Sequence, residues 1–210
     1  LAQAADFGVR VDVVTTGELS DPRFASNPAD RCYHCKSELY RRLDEVAARF
    51  GARAILDGTI VDDMADHRPG RRAAAECAVR SPLAELGFDK ADVRAVAAHY
   101  ALASTGKPAS PCLASRIPYG TPITREALGQ VERAEGALRA LGLDEVRVRH
   151  HGDLARIEVP SAQLGALTAE PLRSRVVAGV RAAGYLFVSL DLEGFRSGSL
   201  NRALEAPESL

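Results

Sequence analysis

The chain has 210 residues, 46% of them hydrophobic, enough for one medium domain or two small ones with a real core, which excludes disorder. A formal net charge of −1 excludes a general field that recruits nucleic acid or anionic membrane, so any anionic partner must be held by a few specific arginines. With no apolar run near the roughly 18 residues that span a bilayer and no basic-then-apolar leader, a cytoplasmic protein is expected, a setting where a Cys-x-x-Cys pair more often binds metal or runs redox chemistry than forms a disulfide.

In chain order, the sequence opens on Leu1 inside what reads as the end of a helix closed by Gly8, so an N-terminally truncated form is expected. Val9, Val11, Val13 and Val14 follow as a β-branched run, predicting a strand and hence a helix-to-strand unit of an α/β fold. After a polar loop, Asp30 is placed to cap a helix whose apolar positions Leu39, Leu43, Val46 and Phe50 recur at helical spacing. Cys32 and Cys35 fall in its first turn, three residues apart on one face, where unpaired N–H groups and the positive dipole end favour thiolate. Gly51 ends this helix, and 54–56 reads as a short buried strand running into Asp57-Gly58-Thr59. Functional residues of open α/β sheets sit at such carboxyl ends. The loop beyond carries Asp62, Asp63, Asp66, His67 and Arg68; taken singly, each charge reads as part of a solvated turn. Helices are predicted near 71–79 and 89–102.

The stretch 104–122, rich in Pro, Gly and Ser, reads as an ordered loop and as a domain boundary, and it contains Pro111-Cys112-Leu113-Ala114-Ser115-Arg116. Thr124 caps a predicted helix with Leu128, Val131, Leu138 and Leu141 on one face, ended by Gly142. Period-two alternation on either side of Gly152-Asp153 predicts a β-hairpin, followed by a helix near 170–183 and a strand at 185–190, a small α+β unit.

Three cysteines draw attention. Cys112 sits in a Pro/Ser loop outside any periodic apolar face, which favours chemistry over packing, whereas Cys77 lies on a helix and reads as a packing residue. A close pair plus one remote cysteine can bind a [4Fe–4S] cluster with one iron open to an exogenous sulfur, or zinc with His34 or His67 as fourth ligand. Alternation puts Val146 and Val148 on the covered face of the hairpin and Arg147 and Arg149 together on the other. Two aligned guanidiniums invite a phosphate or carboxylate, and the plain alternative is that Glu158, opposite Arg147 across a two-residue turn, pairs with it. Arg116 and the glycine-flanked Arg196 are further anion candidates.

Together, Asn27-Pro-x-Asp-Arg-Cys-Tyr-x-Cys-Lys36, Asp57-Gly-Thr-x-x-Asp-Asp63, Asp66-x-Arg-Pro-Gly70, Pro111-Cys-Leu-Ala-Ser-Arg-Ile-Pro-Tyr-Gly120, Val146-Arg-Val-Arg149 and Gly194-Phe-Arg-Ser-Gly198 resemble the LarE family over nearly the whole chain. These are ATP-dependent pyridinium-3,5-biscarboxylic acid mononucleotide sulfurtransferases of nickel-pincer cofactor biosynthesis, which serves lactate racemase, and they belong to the PP-loop ATP pyrophosphatases. The resemblance implies an α/β fold. Residues 1–120 would be the C-terminal part of a PP-loop (adenine nucleotide alpha hydrolase-like, Rossmann-like) parallel-sheet domain, and 121–210 an α+β substrate-binding and oligomerisation domain. The family's Ser-Gly-Gly-x-Asp-Ser phosphate loop is expected upstream of Leu1, since the chain has no adjacent glycine pair; with it would go the first strands of the sheet.

The resemblance further implies ATP and Mg2+ as cofactors, with adenylation of a substrate carboxylate followed by displacement of AMP by sulfur. Asp57, Asp62, Asp63, Arg68, Ser115 and Arg116 match the nucleotide side, and Arg147, Arg149 and Arg196 match positions that hold the mononucleotide. Cys32, Cys35 and Cys112 match cluster ligands, with Cys112 also at the position of the catalytic sulfur donor that other members sacrifice. A homo-oligomer is implied, with a small-molecule substrate, other nickel-pincer biosynthesis proteins as partners, and no nucleic acid or membrane. Two alternatives stand beside this: a tRNA thiolation enzyme, which should carry a basic stripe that the net charge argues against, and a zinc-stabilised binding module without catalysis.

Overall fold

The computed structural model describes residues 4–5, 7–64, 69–106, 111–196 and 198–205. The chain divides into two units, Leu1–Phe24 with Asp30–Ala109, and Ala25–Ala29 with Ser110–Leu210.

The first unit is built on one long helix, α1 (Arg31–Phe50), which ends at Gly51 in the left-handed conformation with φ +61°. Its outer face is laced by Glu38 with Arg41 and Arg42 and by Arg41 with Glu45 at 2.6 Å, pairs at helical spacing that each contribute a few tenths of a kcal/mol. Its inner face buries Tyr40 against Ala73 and Ala74 of a short helix, α2 (Gly70–Glu76), with Tyr33, Leu43, Ile55 and Val79 around them. Two further helices follow, α3 (Pro82–Glu85) and α4 (Lys90–His99), the latter started by a capping box in which Asp89 and Asp92 each bond the other's backbone N–H.

Three expectations change here. The β-branched run 9–14 forms no strand: Val9, Val11 and Val13 are exposed, Val13 at 78%. A strand needs a paired neighbour, and among the described residues none lies beside this run, so propensity alone does not hold it in a sheet. The stretch 54–56 contributes only one isolated parallel bridge, Leu56 to Arg80. Asp30 occupies the N-cap of α1 but makes no cap hydrogen bond; its backbone sits at φ −96°, ψ 13°, outside the extended region a cap requires, and its carboxylate lies 3.5 Å from His34 instead. The mixed α/β class holds, and its named strands lie in the second unit.

There, α5 (Arg125–Arg139) is capped by the Thr124 hydroxyl, which accepts the Ala127 N–H at 3.0 Å. The predicted hairpin is formed by β1 (Arg147–His151) and β2 (Leu154–Glu158), paired with Arg147 opposite Glu158. After α6 (Leu164–Thr168) and α7 (Leu172–Ala182), β3 (Phe187–Leu190) runs parallel to β2, giving the order β1-β2-β3. The core joins Ala134 and Leu138 of α5, Val146 and Val148, Ala155 and Ile157 of β2, and Val176 and Val180 of α7. The two helices approach closely at Gly179, where an added Cβ would come within 3.2 Å of the Ala137 methyl. Among the described residues no helix is long and apolar enough to cross a membrane.

Leu138 is fully buried while Leu192 is 85% exposed. Leu138→Ala is therefore expected to cost about 2–5 kcal/mol and Leu192→Ala less than about 0.5 kcal/mol, read as urea midpoints of the transition that reports this unit.

Candidate functional site

In the second unit the chemistry-bearing residues gather around a buried carboxylate. Glu135 lies on the face of α5 that carries Val131 and Leu138 into the core, and it is 0% exposed. Its Oε1 accepts from Arg116 Nε at 2.7 Å and from the Val148 backbone N–H at 3.0 Å; its Oε2 accepts from Arg116 at 3.0 Å and from Arg139 at 2.6 Å. Burial pushes the Glu135 pKa up, but Arg116, the Val148 N–H and Arg139 outweigh it and hold the carboxyl below its ordinary value.

Arg116, 1% exposed, uses its remaining nitrogen to hold the loop before it. Nη1 donates to the carbonyls of Pro111 at 2.9 Å and Cys112 at 3.3 Å and to the Ser115 hydroxyl at 3.0 Å. Ser115 also turns back on the same loop, donating from its hydroxyl and its backbone N–H to the Cys112 carbonyl at 2.8 and 3.0 Å. The Cys112 backbone is thus clamped while its residue stays exposed, an arrangement suited to presenting a thiol.

Arg149 reaches the same loop from β1. It donates to the Ser115 carbonyl at 2.7 Å, to Glu158 Oε2 at 2.6 Å and to the Ser199 hydroxyl at 2.7 Å. The register sets Arg147 opposite Glu158, as expected, yet the close ion pair is Arg149 with Glu158, diagonally across the strands. Arg147 instead lies buried with its guanidinium 5.1 Å from the Phe195 ring. Burial and the charges of Arg116 and Arg149 push the Arg147 pKa down, with Glu135 opposing them. Phe195 is brought there by Gly194, whose φ of +70° and 2.8 Å distance from its ideal Cβ position to the Val159 carbonyl admit no side chain. Arg196, half-exposed, pairs with Glu193.

Asn27 belongs to this unit too. It is buried in the left-handed conformation, φ +60°, and its amide donates to the carbonyls of Pro118 at 2.7 Å and Thr121 at 2.8 Å, with Ile117 at 3.4 Å. Its own carbonyl accepts the Gly120 N–H at 2.9 Å.

In the first unit, Cys32 is exposed and Cys35 half-buried in the opening turn of α1, and no disulfide involves either. Asp57 accepts from Ser81 at 2.7 Å, the Thr59 N–H at 3.1 Å and Tyr40 at 3.3 Å. Burial raises its pKa, but these bonds prevail and keep it low. Asp62 accepts the Lys90 N–H at 2.8 Å and Asp63 the Ile60 N–H at 3.1 Å. Arg68 lies outside the described residues, as do Asp66 and His67. Taking each unit by itself, the described His, Cys, Asp and Glu side chains form no group of three that would hold a metal ion.

The sequence pattern did not single out Glu135, and it marked Asn27 only as the start of a motif, not as a buried anchor. A charged residue at 135 on the stripe Val131–Leu138 was the available sign for Glu135; Asn27 carried no such sign, since its partners lie 90 or more positions away.

No family model matches the chain. It is 45% identical over 203 residues to an uncharacterized protein of Synechocystis, covering 97% of this chain and 76% of that protein. It is 42% identical over 204 residues to the pyridinium-3,5-bisthiocarboxylic acid mononucleotide synthase of Lactiplantibacillus plantarum, covering 97% of this chain and 73% of that one. An uncharacterized protein of Methanocaldococcus jannaschii is 29% identical over 175 residues, 83% of this chain and 68% of its own length.

Removing the Glu135 carboxylate leaves Arg116 buried and uncompensated, so Glu135→Ala is expected to cost about 3–5 kcal/mol by urea denaturation. A second titration comes from His150, which bonds Tyr185 at 3.1 Å, and from His151; burial lowers the pKa of both. The unfolded chain takes up protons below about 6.5 where the folded one does not, so their contribution is complete above that pH and is lost as pH falls through the depressed folded values. His150→Gln should flatten the fall in stability between about pH 7 and about pH 5, measured as urea midpoints against pH.

Proposed function

This chain belongs to the LarE family of pyridinium-3,5-bisthiocarboxylic acid mononucleotide synthases, and from that membership we propose that it transfers sulfur onto the carboxylates of pyridinium-3,5-biscarboxylic acid mononucleotide. ATP, with Mg2+, activates a carboxylate by adenylation and releases pyrophosphate. A sulfur nucleophile then attacks the carbonyl carbon and AMP leaves, so the product is a thiocarboxylate and the sulfur atom comes from the donor.

The nucleotide side is assigned to Asp57, Asp62, Asp63 and Arg68, within a PP-loop type of fold. Hydrogen bonds to Thr59 and Ser81 shape the Asp57 turn, and Asp62 joins the same loop to the start of α4. Ser115 and Arg116 contribute by holding the Cys112 loop. The substrate's anionic groups are assigned to Arg147, Arg149 and Arg196. Arg147 is buried on β1 beside the Phe195 ring and is the member of this set taken as the probe of anion binding. Residues 121–210 would thereby form the substrate-binding and oligomerising part of a cytoplasmic enzyme.

Cys32, Cys35 and Cys112 would hold a [4Fe–4S] cluster, which when bound supplies an iron able to carry an extra sulfide. Their chemistry fits: three thiols, two of them exposed and one half-buried, two at a helix N-terminus that favours thiolate. The observation that carries this reading is the Cys112 loop, whose backbone is held by Arg116 and Ser115 while the residue itself stays exposed.

Anaerobic incubation with ferrous iron and sulfide is expected to give a brown protein with on the order of four irons per chain. Cys32→Ser, Cys35→Ser and Cys112→Ser should each lower that content severalfold, and Cys77→Ser should not. A wild-type protein that takes up one tight zinc and no iron would overturn the assignment. Arg147→Ala should weaken binding of the mononucleotide by about 2 kcal/mol, roughly thirtyfold, measured by calorimetry.

A further inference from the structure

The cysteine turn of α1 is held by a contact set that the assignments above leave unused. Tyr33 lies between Cys32 and Cys35, and the stripe Tyr33, Lys36, Tyr40 at helical spacing faces α2. The Tyr33 hydroxyl donates to Glu76 Oε2 at 2.7 Å, the Arg72 guanidinium stands 3.8 Å from the centre of its ring, and Arg72 lies 3.6 Å from the other Glu76 oxygen. All three side chains thus close on one another, with Arg72 and Glu76 one helical turn apart on α2.

The other end of α2 is pressed on the same turn. A Cβ at Gly70 would come within 2.9 Å of Lys36 Cγ and 3.2 Å of the Cys32 carbonyl oxygen. α2 therefore touches the cysteine turn at its first residue and at its last. Rotation of that turn about the axis of α1, which would swing both thiols, must break the Tyr33 contacts.

We propose that Tyr33, latched by Arg72 and Glu76, is a positioning residue that sets the direction of the Cys32 and Cys35 thiols. It does not touch the reacting atoms. The proposal rests on the reading of this pair as cluster ligands.

The test is the iodoacetamide alkylation rate of each cysteine, resolved by peptide mass spectrometry on the full reduced chain. In the wild type the exposed Cys32 should react faster than the half-buried Cys35. In Tyr33→Ala the Cys35 rate should rise about fivefold, with Cys77 and Cys112 within about twofold of wild type. Tyr33→Phe, which keeps the ring beneath Arg72 but loses the bond to Glu76, should fall between, and Glu76→Gln, which still accepts that bond, should stay near wild type. Unchanged Cys32 and Cys35 rates in Tyr33→Ala overturn the proposal, and so does a parallel rise at all four cysteines, which reports general loosening. Should Tyr33→Ala not fold, Tyr33→Phe and Glu76→Ala decide it: raised Cys35 rates in both support the latch, and wild-type rates contradict it. A wrong cluster assignment shows separately, as wild-type protein that binds no iron while its alkylation pattern stands.

Discussion

The carboxylate of Glu135 accepts four hydrogen bonds inside the second unit, from two nitrogens of Arg116, one of Arg139 and the backbone of Val148. The Cys112 loop and the strand that bears Arg147 and Arg149 are both tied to it, whereas Arg196 pairs with Glu193. Through Arg116 it holds the carbonyls of Pro111 and Cys112, and through Val148 it fixes the strand that carries Arg147 and Arg149. Arg149 closes the ring by returning to Ser115. An ion pair removed from water gains little net free energy over an apolar substitute, but it is costly to break and has only one geometry in which all partners are satisfied. That constraint holds in place the short 3-10 turn Leu113–Arg116, at whose N-cap Cys112 sits.

The first unit solves the same problem with different material. Its cysteine pair rides on the opening turn of a long helix, and its support is close packing at Gly70 and the Tyr33 contacts on α2. Asn27 lies in the segment Ala25–Ala29 of the second unit, and its left-handed backbone and buried amide fix that segment to the loop that follows Cys112. Asparagine suits the position: it tolerates positive φ better than other residues with a side chain, and its amide can serve several carbonyls at once.

Elements with local causes were readable from the sequence. The spacing of Leu39, Leu43 and Val46 found α1, Gly51 found its end, Thr124 found the start of α5, and the turn at Gly152-Asp153 found the hairpin and its register. The strands expected at 9–14 and 54–56 depended on non-local partners, which a single run of side chains does not specify, and neither formed a ladder. The arginines were found as a cluster, but their pairing was not. Alternation placed Arg147 and Arg149 on one face and set Glu158 against Arg147; the register is as expected, but the close pair is the diagonal one, Arg149 with Glu158. The burial of Arg116 had no local sign at all, because its counter-charge comes from a helix nineteen positions away.

The reading of Cys112 as a residue that presents sulfur chemistry without being consumed is tested most directly by its mass after turnover. The iron-loaded protein would be incubated with the mononucleotide, ATP and Mg2+, and both product and Cys112 peptide weighed. Sulfur in the product, with Cys112 at the mass of intact cysteine, is the predicted result. Conversion of Cys112 to dehydroalanine in step with product, or a product without sulfur, would contradict it.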